Sequence, residues 1–142
     1  MPDNPGNTVN PGNAVTVRRA YDAFARGDIP AVLAAMDPGI VWYSPEELPF
    51  GGRFEGPEEV VGFFRSLGET FDALEVVPDR ILDAGPDHVV VEGRDVVTLG
   101  GERLEIGFLH LVTLHAGRIT AFREYADTGK LLRHLDAATA AG

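Results

Sequence analysis

From residue 14 onward, apolar side chains recur at the spacing of one helical face. Val17, Ala20, Tyr21 and Phe24 fall at i, i+3, i+4 and i+7, and Gly27 closes the run, which predicts a first helix over 14–26. Asp28 is placed to cap a second, short helix reaching Met36. Ile40 to Ser44 reads as a short strand, and 45–56 as a loop. Gly56-Pro57-Glu58-Glu59 opens a third helix, with proline in the tolerated first turn and two acids at the positive end of the helix dipole. Val60, Phe63, Phe64, Leu67 and Phe71 form its apolar stripe. In the second half the period changes to two. Strands are predicted at 74–83, 87–99, 102–115 and 118–126, before a closing helix that carries Leu131, Leu132 and Leu135. Helices first and an antiparallel meander afterwards predict an α+β fold, with helices packed on one face of a curved sheet.

The turns set the strand register. Gly100-Gly101 suits a two-residue hairpin loop of the primed type, so Leu99 should oppose Glu102. Asp95 then meets Ile106, Gly93 meets Phe108 and Val91 meets His110, and the apolar faces of the two strands coincide. His115-Ala116-Gly117 reads as a three-residue loop, which pairs Leu114 with Arg118, Phe122 with His110 and Glu124 with Phe108.

In this register three neighbouring strands each place one ionisable group on the face meant for the core: Asp95, His110 and Glu124. A lone buried carboxylate is costly unless it is paired or lines a wet cavity. His110 and Glu124 are expected as diagonal neighbours, with backbones about 7–8 Å apart. Asp95 lies two strands from Glu124, roughly 12 Å away. Gly93 is expected to leave space beside them. A pocket between sheet and helices, floored by these groups, satisfies both register and burial.

Composition narrows the partners. The 142 residues suit one domain over 14–138, with a flexible Pro- and Gly-bearing tail at 1–13 and a C-terminal tail at 139–142. The absence of cysteine excludes disulfides, thiolate metal sites and cysteine nucleophiles. No apolar run approaches a membrane span, and Met1-Pro2-Asp3-Asn4 lacks the start of a secretory signal, so a cytoplasmic address is expected. A net charge of −10 disfavours nucleic acid and anionic membranes as partners. The eight acids of 44–75, against Arg53 and Arg65, read as a solvated face. There is no GxGxxG, P-loop or GxSxG motif, and His88, His110, His115 and His134 lack metal-ligand spacing; neither cofactor nor metal is expected.

The segments RRAYDAFARGDIPAVLAAMDPGIVWYSP, GRFEGPEEVVGFF and FLHLVTLHAGRITAFREYADT resemble the SnoaL-like branch of the NTF2-like superfamily over about residues 14–136. The resemblance implies a cone: a strongly curved antiparallel sheet wrapped around N-terminal helices, with a central pocket, in a homodimer formed through the sheet's outer face. It also separates the chemistries that this fold hosts. The positions that match the tyrosine, strand acid and base of ketosteroid isomerases are Ala20, His110 and Ser44, which disfavours steroid isomerisation. Against limonene-type epoxide hydrolases, Asp95 and Glu124 match the two acids and Trp42 and Ser44 the accompanying tyrosine and asparagine, but the arginine position falls on Gly93. Against SnoaL-type polyketide cyclases, His110 and Glu124 match the histidine and the acid of the last strand, with Glu in place of Asp.

These readings converge on a cofactor-independent enzyme for a small apolar carbonyl or polyketide-like ligand. Glu124 is the expected base, His110 orients it or donates to an oxyanion, and Asp95 serves the far end of the ligand. Trp42, Ser44, Tyr21, Phe64, Gly93, Phe108 and Phe122 are the expected ligand-binding residues. A non-catalytic ligand carrier or sensor, a partner module with a vestigial pocket, and an epoxide hydrolase-like site with an incomplete triad stand as alternatives.

Overall fold

A computed structural model describes residues 12–141. The first helix, α1 (Asn13–Ala25), buries Val17 and Ala23. The tail expected at 1–13 lies outside the described residues but for its last two, and Asn13 already opens the helix. Asp28 caps α2 (Ile29–Ala34) as expected, its side chain accepting from the Ala31 N–H. Met36, expected in that helix, instead begins β1 (Met36–Ser44) and pairs with Ile119.

The stretch expected as loop contains β2 (Gly52–Glu55), which pairs antiparallel with β1 from Val41↔Glu55 to Ser44↔Gly52. Four residues are too few for an alternating pattern to stand out, so only the pairing with β1 defines this strand. The next helix, α3 (Gly56–Thr70), starts on Pro57 with Glu58 and Glu59 in its first turn and sinks Val60 and Phe63 into the core.

The meander follows as β3 (Ala73–Asp83), β4 (His88–Leu99), β5 (Glu102–His115) and β6 (Arg118–Ala126). The six strands lie in the order β2-β1-β6-β5-β4-β3 and form a curved, unclosed sheet. All neighbours run antiparallel except β1 and β6, which are parallel. The predicted β4–β5 register holds throughout, with Gly100 and Gly101 at φ of 60° and 83° in the hairpin.

The β5–β6 register differs from the expected one. The turn has two residues, Ala116 and Gly117 at φ of 50° and 78°, so His115 pairs with Arg118. A bulge then leaves Thr120 unpaired, between Leu114↔Ile119 and Thr113↔Ala121. The extra residue restores the face parity that a three-residue loop would have given. His110 and Glu124 therefore share a face as expected, but they stand directly opposite each other; Phe122 opposes Val112, and Phe108 opposes Ala126.

The last helix, α4 (Thr128–Ala141), buries Leu131 and continues through residues expected as a tail. The core lies between the concave face of the sheet and α1 to α3, around Ile40, Val60, Val89, Val91 and Ile106. Among the described residues, no helix is long and apolar enough to cross a membrane.

Candidate functional site

A cavity of about 110 Å³ opens between the helices and the concave face of the sheet. Its wall is mostly aromatic and aliphatic, with Phe24, Trp42, Phe63, Phe64 and Phe122 among the rings. One water needs roughly 10–15 Å³ of such space, so the room exceeds a solvent site. The ionisable groups in the wall are Tyr21 from α1, Asp95 from β4, His110 from β5 and Glu124 from β6. The three expected on the core face of the sheet thus line one hollow.

They are joined by a chain of contacts. His110, only 4% exposed, has its Nε2 3.0 Å from Glu124 Oε2 and its Nδ1 2.5 Å from the Tyr21 hydroxyl. Ser44, equally buried at the end of β1, donates a long 3.4 Å bond to Glu124 Oε1. The imidazole lies flat against Phe108, with ring centres 3.8 Å apart and planes within 5°, and Phe122 closes on it at 4.5 Å. Bonds at both nitrogens and a ring on its face fix its orientation.

Electrostatics assigns the protons. Burial lowers the His110 pKa from its usual value, and the bond and charge of Glu124 only partly oppose this. A neutral imidazole carries one N–H, and a carboxylate accepts only. The tautomer that satisfies both contacts has Nε2–H donating to Glu124 and Nδ1 accepting from the Tyr21 hydroxyl. Loss of water, then the charges of Glu124 and Asp95, push the Tyr21 phenol well above its usual range. Loss of water and the charge of Glu124 also push the Asp95 carboxyl well above its usual range, which favours its protonated, hydrogen-donating form.

The other expected residues divide. Trp42, Tyr21, Phe64 and Phe122 line the cavity. Ser44, Gly93 and Phe108 do not: Ser44 sits behind Glu124, and Phe108 backs the imidazole. Gly93 does not leave open space, because a Cβ built there would fall 2.3 Å from the Val77 carbonyl oxygen and 2.7 Å from the Phe108 ring. The glycine admits Phe108, and Phe108 supports His110. The sequence pattern places Tyr21 on the cavity wall but does not show its bond to His110. The available signal was a phenol on the buried face of a helix, whose hydroxyl needs a partner. Among the described residues, no group of three or more His, Cys, Asp or Glu side chains is placed to hold a metal ion.

A curved, unclosed six-stranded sheet on N-terminal helices, with an aromatic hollow inside, is the NTF2-like cone. Residues 17–122 match the SnoaL-like domain family, and the chain belongs to it. It is 32% identical over 116 residues to Uncharacterized protein Rv0034 of Mycobacterium tuberculosis, covering 78% of this chain and 86% of that one. It is similar to the crystal structure of an NTF2-like protein of unknown function from Burkholderia pseudomallei, with a TM-score of 0.79 at 33% identity over 85% of this chain and 95% of the other. It is also similar to TerC co-crystallised with polyporic acid, with a TM-score of 0.81 at 25% identity over 87% of this chain and 98% of the other.

Proposed function

We propose that the cavity is the active site of a cofactor-independent acid–base enzyme, cyclase- or isomerase-like, acting on a small, largely apolar carbonyl compound. The observation that carries this reading is the Ser44–Glu124–His110–Tyr21 chain set in an otherwise apolar hollow. Glu124 removes a proton alpha to the carbonyl, while the Ser44 hydroxyl and the His110 N–H hold its two oxygens. Asp95, kept protonated by burial and by the Glu124 charge, donates to the carbonyl oxygen as negative charge develops there. Tyr21 fixes the imidazole tautomer that keeps Glu124 in place. The hollow, about 110 Å³, is of the order of the roughly 150 Å³ cavity known to hold benzene, and because it is not enclosed, a substituent on a single ring can extend from it. That TerC, with the same fold, was co-crystallised with an organic ligand supports the pocket part of this reading.

Acetophenone in D2O tests it, with NMR following the loss of the methyl signal as its α-protons exchange. Wild type should accelerate exchange, and Glu124→Gln should lower the acceleration about 10²–10⁴-fold. Equal exchange by the variant removes the assignment of Glu124. Acetophenone that binds wild type and returns unexchanged supports the rival reading of a ligand carrier.

The outer face of the sheet is proposed as the homodimer contact. Leu109 and Tyr125, 40% and 54% exposed, are paired neighbours there.

A further inference from the structure

We infer that this cavity sorts its ligands by charge: it takes uncharged and amine-bearing ring compounds and refuses carboxylates. The inference rests on the cavity being the ligand site, and it adds the class of ligand. The titratable groups that face the hollow are Tyr21 on α1, Asp95 on β4, His110 on β5 and Glu124 on β6. The remaining elements, α2, α3, α4, β1, β3 and the loops beside them, contribute only uncharged side chains to the wall. Among the described residues, neither Lys nor Arg reaches the wall.

The negative charge of Glu124 is thus met by a neutral imidazole and a hydroxyl, with no cation. A carboxylate ligand would bring a second negative charge into water-poor surroundings, where like charges repel strongly. An ammonium group would be the missing counter-ion, and the faces of nearby rings attract cations further. An ammonium beside Asp95 would also favour its ionised form, against the burial and the Glu124 charge that hold the proton on.

Three single-ring probes of similar size separate the possibilities at neutral pH: acetophenone, benzylamine and benzoate. Trp42 is the only tryptophan, so its single indole N–H resonance reports occupancy of the cavity. Acetophenone and benzylamine should saturate this shift, with benzoate at least tenfold weaker than either. Glu124→Gln should narrow the gap between the amine and the acid. If that variant fails to fold, proton linkage at Asp95 supplies a second readout. Calorimetry in two buffers of unequal ionisation heat should show proton release on benzylamine binding to wild type and none with Asp95→Asn. Benzoate within threefold of acetophenone, or proton release that survives Asp95→Asn, overturns the inference. Benzoate binding alongside intact acetophenone exchange would sink the charge rule alone; failure of all three probes to bind would sink the pocket reading with it.

Discussion

Gly93 is the position where one added methyl should be felt both in stability and at the site. It lies in β4, paired with Phe108 on one side and Pro78 on the other. An alanine Cβ would stand 2.3 Å from the Val77 carbonyl oxygen and 2.7 Å from Phe108 Cζ. Carbon atoms in contact sit at about 3.5 Å, so the methyl must displace the Val77 backbone and also push the ring back by about 0.8 Å. The ring cannot retreat freely, because its other neighbour is the His110 imidazole at 3.8 Å. That imidazole is in turn bonded to Tyr21 and Glu124. Overpacking of this kind costs about 1–3 kcal/mol, a drop of several degrees in Tm for a chain of this length. Displacement near 1 Å at a positioned group costs about 10²-fold in rate. Gly93→Ala should therefore lower Tm, shift the His110 imidazole nitrogen resonances and depress acetophenone exchange. A variant with wild-type Tm and unmoved His110 resonances would refute the chain of support from Gly93 through Phe108 to His110.

Other outcomes follow from the same geometry. Asp95 has a raised pKa in the folded state, so the contribution it makes below the unfolded value of about 4 is lost as pH rises toward the folded one. Asp95→Asn should thus be more stable than wild type near pH 8, by denaturant titration, with the advantage vanishing near pH 3; equal stability at both would refute this. His110 has a lowered pKa, so stability should fall as pH drops through about 6.5, where the unfolded histidine gains its proton. His110→Gln should flatten that slope, and an unchanged slope would count against the neutral imidazole. Tyr21→Phe should move His110 toward a mixture of tautomers, visible in its ¹⁵N shifts, while leaving the fold intact. Tyr125→Glu should convert a dimer to a monomer by light scattering; a wild-type monomer would dispose of the proposed contact.

Local chemistry wrote much of this protein into its sequence. The i, i+3, i+4, i+7 stripes, the Asp28 cap and the Gly100-Gly101 hairpin depend on near neighbours, and each element formed where its pattern lay. Period-two alternation on β4 to β6 showed which face was apolar, and so exposed Asp95, His110 and Glu124 as polar intruders on it. What the sequence could not settle was how distant segments meet. The β5–β6 partners moved by two because a bulge at Thr120 has no strong local signature, yet it left the face unchanged, since face depends only on parity. β2 exists because β1 lies beside it, and Met36 joined a strand because Ile119 was there to pair with. The bond from Tyr21 to His110 joins residues 89 apart, and only the wrapping of the sheet around the first helix brings them together. Gly93 marks the same divide: the sequence showed a missing side chain, and tertiary packing filled its place with a phenylalanine ring.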